Sequence, residues 1–480
     1  MPLEGGPGLV LDPAEDGPLS PCEVTLQQTV EIDPSVDPIA TLTAIVYLPR
    51  GEDGPDCDSI ASPNRPLVLI YHALGQSPDD YEALGRRLAS HGFVVASLEH
   101  SDSLDDAIEF LDDELGGFLS DDVALIGHSM GGELMVNRRL QPEQQGKNAA
   151  AMVLMAPLVL PDLIIPQYQL SGVDTFLGLH WAGDNDAATW GAPSPNNGGI
   201  RRSVFRIYDR AGVDFDDAQA LSLTKHFVFF DFGGHNRQDN AGVMAYTTAF
   251  LRRYVLGDTT QDRFVKGMVA PPALLDTARP VLQQYEEPNR IMLANFEESG
   301  DIPDAFVGVI EENVSAFPPA IFAFSDPFSP HDLGVLRFSF DARTDDEHKL
   351  SIRLQEPGVD SGNMTHLSFR IAQEYHPERQ QSREPLLFRV IVASNGERAV
   401  EIVDYGALHF PVVVPDLTIA QTNQTVDATK NALRTYRIPL SDFGLDLGAT
   451  IQGITFDFSD TGSVEGERIE MALDQLQLTR

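Results

Sequence analysis

The 480-residue sequence predicts an α/β domain built on a parallel sheet, followed by an all-β sandwich. Two patterns carry this expectation. Up to about residue 256, short and wholly apolar runs alternate with segments of helical period, as in a sheet covered by helices on both faces. Beyond about residue 285 the apolar period falls from 3.6 to 2, the beat of strands with one buried face. The composition permits large cores: 42% of the residues are hydrophobic and 22% charged, ordinary globular values.

Taken in order, Ile45–Leu48 ends an early strand and Pro66–Tyr71 is a short apolar one. The spacing predicts a helix over Asp79–Ser90, stopped at His91-Gly92 by a glycine suited to a helix end. Phe93–Leu98 is the next strand, Asp105–Leu115 an acidic helix, and Val123–Ile126 a strand that leads into a helix over Gly131–Leu140. Ala151–Met155, Thr175–His180 and Phe227–Phe232 are further strands, and Ala241–Val255 is an amphipathic helix. The β part alternates at Leu336/Phe338/Phe340, Leu350/Ile352/Leu354, Leu367/Phe369/Ile371, Phe388/Val390/Val392, Ile454/Phe456/Phe458 and Ile469/Met471/Leu473. The expected division is a first domain over 1–262 with an N-terminal extension 1–21, a linker over 263–285, and a sandwich over 286–480.

Lys and Arg number 33 against 72 Asp and Glu, a formal net charge of -39. Such a surface repels phosphate backbones and anionic head groups, so nucleic acid and membrane surfaces are poor partners. No apolar run reaches the ~18 residues of a membrane span. The cysteines, Cys22 and Cys57, sit in loop-like surroundings and fit one disulfide in an exported protein. The expected localisation is therefore secreted, with no signal peptide in this sequence.

The chemistry gathers on Gly127-His128-Ser129-Met130-Gly131-Gly132, between a predicted strand and a predicted helix. A serine at so sharp a turn needs small neighbours, and its hydroxyl projects from the sheet edge as a nucleophile. The backbone N–H of Met130, at a helix N-terminus, can hold an oxyanion. A second donor is expected from the loop His72-Ala73-Leu74-Gly75-Gln76-Ser77, at the N–H of Leu74, with His72 shaping the loop rather than moving protons. The acid and base should follow the serine in chain order. Asp186, in the acidic turn after Thr175–His180, is chosen to orient the histidine; Asp184 is its rival and Asp209 a remote third. His235, in the flexible stretch Gly233-Gly234-His235-Asn236, is the general base. His180 and His226 compete less well, because they lie on strands where a satisfied core histidine is commoner. His128 and Leu158 are candidates to line the substrate cleft, and this chemistry calls for no metal and no cofactor.

The stretch Leu88–Val95, the turn Gly127–Gly132, Met155-Ala156-Pro157, Asn185-Asp186, Ile207-Tyr208-Asp209 and Gly233-Gly234-His235 together resemble the bacterial cutinases and polyester hydrolases of the α/β-hydrolase superfamily. The resemblance implies the triad Ser129, Asp186 and His235, with oxyanion donors at Leu74 and Met130. It also favours Asp186 over Asp184 and puts Asp209 outside the site. The family usually has a tryptophan after the Ala-Pro pair, where this chain has Leu158, so activity on aromatic polyesters is in doubt. The apolar insertion 159–173 and the long stretch 190–202 are further departures. Tyr436–Gly444, Ile454–Phe458 and Ile469–Leu478 resemble the closing strands of galactose-binding-like jelly rolls, an ending shared with carbohydrate-binding modules. That implies a module holding the enzyme on a polymer, with a purely structural appendage as the alternative. Acidic residues near Asp457 and Asp460 could take a structural calcium. The expected activity is that of a secreted serine carboxylic-ester hydrolase working through an acyl-enzyme. The alternatives are a carbohydrate- or surface-binding protein with a vestigial hydrolase domain, and an acyltransferase on the same triad.

Overall fold

A computed structural model describes residues 12–30, 40–50, 57, 64–99, 104–115, 117–137, 147–158, 170, 172–181, 204–213, 221–230, 233–267, 281–296, 305–316, 320–321, 334–342, 347–374, 384–419, 424–430, 432–459 and 467–480. The chain divides into two compact units, one built mainly from residues up to Arg279 and the other mainly from Pro280–Arg480. The stretch 263–285, expected as a linker, is not all connector: Val281–Glu286 is a strand of the second unit.

In the first unit the strands are β1 (Ser20–Val30), β2 (Ala40–Arg50), β3 (Arg65–Tyr71), β4 (Val94–Leu98), β5 (Leu119–His128), β6 (Asn148–Met155), β7 (Thr175–Trp181) and β8 (Thr224–Phe230). They lie side by side as β1-β2-β4-β3-β5-β6-β7-β8. From β3 to β8 every pairing is parallel, while β1 with β2 and β2 with β4 are antiparallel. The longer helices among the described residues are α1 (Glu82–Ser90), α2 (Leu104–Glu114), α3 (Met130–Asn137), α4 (Val204–Arg210) and α5 (Ala241–Tyr254). Every residue of β3, β4 and β7 is buried, which is why these strands read as largely apolar runs. Among the described residues no helix is long and apolar enough to cross a membrane.

Two parts of this unit depart from the expected layout. Cys22, expected in a loop, lies on β1 opposite Leu48, and is disulfide-bonded to Cys57 with Cα atoms 5.8 Å apart. β1 escapes notice in the sequence because only one of its faces is covered: Cys22 is buried while Glu23, Thr25 and Gln27 face solvent. The stretch 12–19, expected as an extension, is instead docked on the end of α1. The N–H groups of Gly17 and Leu19 donate to the hydroxyl and carbonyl of Ser90 at 2.8 and 3.1 Å. A Cβ at Gly17 would stand 2.2 Å from the Ser90 carbonyl oxygen, so the approach requires glycine.

Beside that junction His91 is 1% exposed, with Nε2 3.0 Å from the Glu15 carbonyl and Nδ1 3.1 Å from an Arg252 Nη1. A carbonyl can only accept and a guanidinium can only donate, so the ring is neutral with its proton on Nε2. Arg252 is in turn held by Asp258 at 2.6 Å. Burial first, and the Arg252 charge after it, push the His91 pKa down to about 4.

Among the described residues, the second unit contains two larger antiparallel sheets and two two-stranded ones. In one larger sheet, Arg468–Thr479 lies between Gly334–Asp341 and His366–Gln373, and the latter also pairs with Arg434–Pro439. In the other, the order is Phe306–Glu312, Lys349–Leu354, Gly453–Asp457, Arg389–Ser394 and Gly396–Glu401. Alternate residues from both sheets form one apolar core, including Phe338, Phe369 and Tyr436 from the first and Ile352, Val390 and Phe456 from the second. The rings of Phe369 and Phe456 meet edge to face at 5.0 Å. Ser368 and Arg370, on the other face of their strand, are buried as well. There Arg370 pairs with Asp474 and with Glu286 at 3.4 Å, and Glu286 accepts from Arg290 at 2.7 Å. Asp457, considered above as a calcium ligand, is already engaged: it pairs with Arg389 and accepts from the Ser459 N–H at 3.0 Å. Asp460 lies outside the described residues.

The lowered His91 pKa fixes a pH dependence. Above pH ~6.5 the imidazole is neutral in both folded and unfolded chains and costs nothing. As pH falls from ~6.5 to ~4 the unfolded chain takes up the proton first, and the loss of stability levels off below that at about 3 kcal/mol. Urea unfolding of wild type and His91→Gln at pH 7.5 and 4.5 should show the smaller pH loss in the variant. Cys22 and Cys57 are 35 residues apart, so replacing both by serine should lower stability by about 3–4 kcal/mol, read from the urea midpoint at fixed pH.

Candidate active site

The strand β5 ends at His128 and α3 begins at Met130, leaving Ser129 alone to make the turn. Its φ is 51°, in the left-handed region that costs a residue with a Cβ about 1–2 kcal/mol. The flanking glycines make the turn sterically possible. A Cβ at Gly127 would lie 2.6 Å from the Gly132 Cα, one at Gly131 would lie 2.3 Å from the Tyr71 carbonyl oxygen, and one at Gly132 would lie 2.7 Å from Pro157. Neighbouring backbone then locks the serine in place. Ser129 N–H donates to the Met155 carbonyl at 3.0 Å, while its own carbonyl accepts from Leu158 N–H at 2.7 Å and from Gly132 N–H at 3.1 Å. Ser129 is 8% exposed, and Met130 is the first residue of the helix.

The loop after β3 comes to the same place. His72 is buried, with Nδ1 2.9 Å from the Ala73 carbonyl and Nε2 3.9 Å from Glu99. Ala73 N–H donates to the Tyr81 hydroxyl at 3.1 Å, so that amide is already occupied. The next residue, Leu74, is 76% exposed, and Gly75 turns the chain with φ 78°.

The third contribution follows β8. Gly233 has φ 83°, and a Cβ there would press to 3.0 Å on the Trp181 ring at the end of β7. Two residues later, the carbonyl of His235 accepts from His128 Nε2 at 2.9 Å, and the two imidazole centroids are 5.1 Å apart. Folding thus brings His235 to the residue preceding Ser129, across more than a hundred positions of sequence.

His128 does not line a cleft, as the sequence had suggested: it is 0% exposed, packed edge-on to Tyr81 and Trp181 at 6.1 Å each. Its side chain turns inward because both ring nitrogens find partners there, Tyr81 Oη at 2.6 Å and the His235 carbonyl. Leu158 is half-buried directly after the Ala-Pro pair. Asp186 and Asp184 lie outside the described residues, beyond the last described position of β7, Trp181. The insertion 159–173 is described only at 170, 172 and 173, and 190–202 not at all.

The competing residues occupy other places. His226 is a core histidine, with Nδ1 at 2.9 Å from the Val265 carbonyl and Nε2 at 2.8 Å from the Tyr254 hydroxyl. His180 is buried on β7 against Phe229, ring centroids 6.1 Å apart. Asp209 is buried on α4, and its backbone carbonyl is capped by Lys225 Nζ at 3.1 Å. Among the described residues, no group of three or more His, Cys, Asp or Glu side chains is gathered to hold a metal ion. Tyr81 and Trp181 carry no local sign of a role in the sequence, since both pack on His128, which is distant from each in the chain.

A strained serine between a parallel strand and a helix, with a histidine loop from a later strand beside it, matches what comparison with known proteins finds. The Alpha/beta hydrolase family matches residues 67–312, just over half of the chain, and this protein belongs to that family. Short stretches are also similar to two platelet-activating factor acetylhydrolases. The protein of Cavia porcellus is 51% identical over 37 residues, 8% of this chain and 8% of that one. The protein of Canis lupus familiaris is 43% identical over 49 residues, 10% of this chain and 11% of that one. The chain thus matches only about a tenth of the length of these curated relatives.

Gly131→Ala tests the packing of the turn. The added methyl would meet a backbone carbonyl rather than a movable side chain, so the variant should lose about 3 kcal/mol or more in urea unfolding. An alanine tolerated within 1 kcal/mol would mean that the turn is looser than described.

Proposed function

We propose that this protein is a serine carboxylic-ester hydrolase acting through an acyl-enzyme. The observation that carries the reading is Ser129 at φ 51° between β5 and α3, with the His235 carbonyl hydrogen-bonded to the adjacent His128. In this reading His235 takes the Ser129 proton as the hydroxyl oxygen attacks the ester carbonyl. The N–H groups of Leu74 and Met130 hold the resulting oxyanion, and His235 returns the proton to the departing alcohol. Water, deprotonated by the same imidazole, then splits the acyl-serine to release the acid and regenerate the hydroxyl. Asp186 accepts the other ring proton of His235 and keeps its tautomer.

The half-buried Leu158 and the exposed Leu74 suit an aliphatic acyl group, in keeping with a cutinase-like enzyme lacking an aromatic clamp. The short-stretch similarity to acetylhydrolases supports ester cleavage. The disulfide between Cys22 and Cys57 supports an extracytoplasmic location. We read the second unit as a galactose-binding-like jelly roll that holds the enzyme on a polymeric substrate, a reading supported by its two larger antiparallel sheets around one core.

The test is release of p-nitrophenol from acetyl, butyryl and octanoyl esters by wild type and Ser129→Ala. Wild type should turn over the short esters, and the variant should lose at least about 1,000-fold in kcat. A fluorophosphonate should label wild type once, at Ser129, and leave the variant unlabelled. Equal activity in the two proteins would remove Ser129 from the mechanism, and an inert wild type would end the esterase reading.

A further inference from the structure

A single chain of hydrogen bonds runs behind Ser129 through two side chains for which the proposed mechanism has no use. His128 Nε2 faces the His235 carbonyl at 2.9 Å, and a carbonyl can only accept, so Nε2 carries the proton. The other ring nitrogen, Nδ1, is hydrogen-bonded to the Tyr81 hydroxyl at 2.6 Å. The Tyr81 oxygen in turn accepts Ala73 N–H at 3.1 Å. The Gln76 side-chain oxygen, 2.6 Å away, accepts from the same hydroxyl. The four contacts are all 2.6–3.1 Å long and link the three segments through one buried hydroxyl and one buried imidazole. Tyr81 and His128 are both fully buried, and burial pushes the Tyr81 pKa upward, so the phenol keeps the proton it donates.

The chain joins three loops that leave the sheet from different strands: Ala73 after β3, the Ser129 turn after β5, and His235 after β8. Nothing in the sheet itself fixes these loop tips relative to one another to the few tenths of an ångström that proton transfer and oxyanion binding demand. We propose that Tyr81 and His128 are positioning residues, a buried tether that sets the loop bearing the base and the loop bearing the oxyanion donor against Ser129. This rests on the esterase reading above. The tether touches no substrate, and its removal slows acyl transfer while leaving ground-state binding almost untouched.

Tyr81→Phe keeps the buried ring and deletes the hydroxyl. His128→Asn keeps an acceptor near the position of Nδ1 for Tyr81 but is too short to reach the His235 carbonyl. Each should lower kcat on p-nitrophenyl butyrate by about 10- to 100-fold, counted per active site titrated with a fluorophosphonate, with KM changed by less than about threefold. Because both act through one tether, the double variant should lose little more than the worse single variant. A purely structural role would lower the unfolding midpoint and the titratable fraction but leave kcat per titrated site at the wild-type value, and that result would overturn the proposal. Multiplicative losses in the double variant would overturn it as well. If Tyr81→Phe does not fold, His128→Asn decides alone by the same kcat criterion. Ser129→Ala, run alongside, keeps the two ideas apart: full activity there sinks the esterase reading, whereas an inert Ser129→Ala beside an unimpaired Tyr81→Phe sinks only the tether.

Discussion

Ser129 holds a backbone conformation that its own side chain disfavours, and much of the first unit serves to keep it there. The strain of about 1–2 kcal/mol is small against a whole domain but enough to flatten the turn if the surroundings gave way. They do not, because β3 and β6, the neighbours of β5, supply rigid backbone on both sides. The Met155 carbonyl and the Leu158 amide hold the serine from β6, and the Tyr71 carbonyl of β3 lies where any side chain at Gly131 would have to go. The turn is therefore specified from the sheet outward, and the glycines are the complement of that backbone rather than a source of looseness.

The same logic of rigid supports reaches the histidine loop and the loop after β3. Both are irregular segments, which the sheet alone would leave free to drift, and both meet the buried pair Tyr81 and His128. Burying a histidine and a tyrosine is tolerable only when their polar atoms are satisfied. Here satisfaction also ties the two loops to the serine turn, because the partners of the pair lie on those loops. On the far end of α1, His91 follows a similar rule with another outcome. It is buried neutral between a carbonyl and a guanidinium, and fastens residues 12–19 and α5 to the helix end at the expense of stability in acid.

In the second unit the polar interior takes the form of charge pairs. Arg370, Asp474, Glu286 and Arg290 are withdrawn from solvent together, an arrangement in which losing one partner costs far more than replacing all of them by apolar groups. Such a cluster constrains which residues of Arg468–Thr479 and His366–Gln373 can face each other. The aromatic core on the opposite face, centred on Phe369, Phe388, Tyr436 and Phe456, provides the apolar burial.

By itself the sequence determined the strands whose burial is complete, the period change that separates the α/β part from the β part, and the serine turn. Those features are local: apolar runs at β3, β4 and β7, alternation at Leu336/Phe338/Phe340, and glycines within three residues of Ser129. It missed β1, because a strand covered on one side carries only half the signal, and it took Val281–Glu286 for linker. It mistook the side of the turn to which His128 points, since an imidazole next to a nucleophile looks like a cleft residue until its partners are known. Only the tertiary structure decided that His128 is buried, that Tyr81 reaches it, and that His235 stands beside the serine turn. Each depends on atoms from segments far apart in the chain meeting within hydrogen-bond range, a condition that no local pattern of residues encodes.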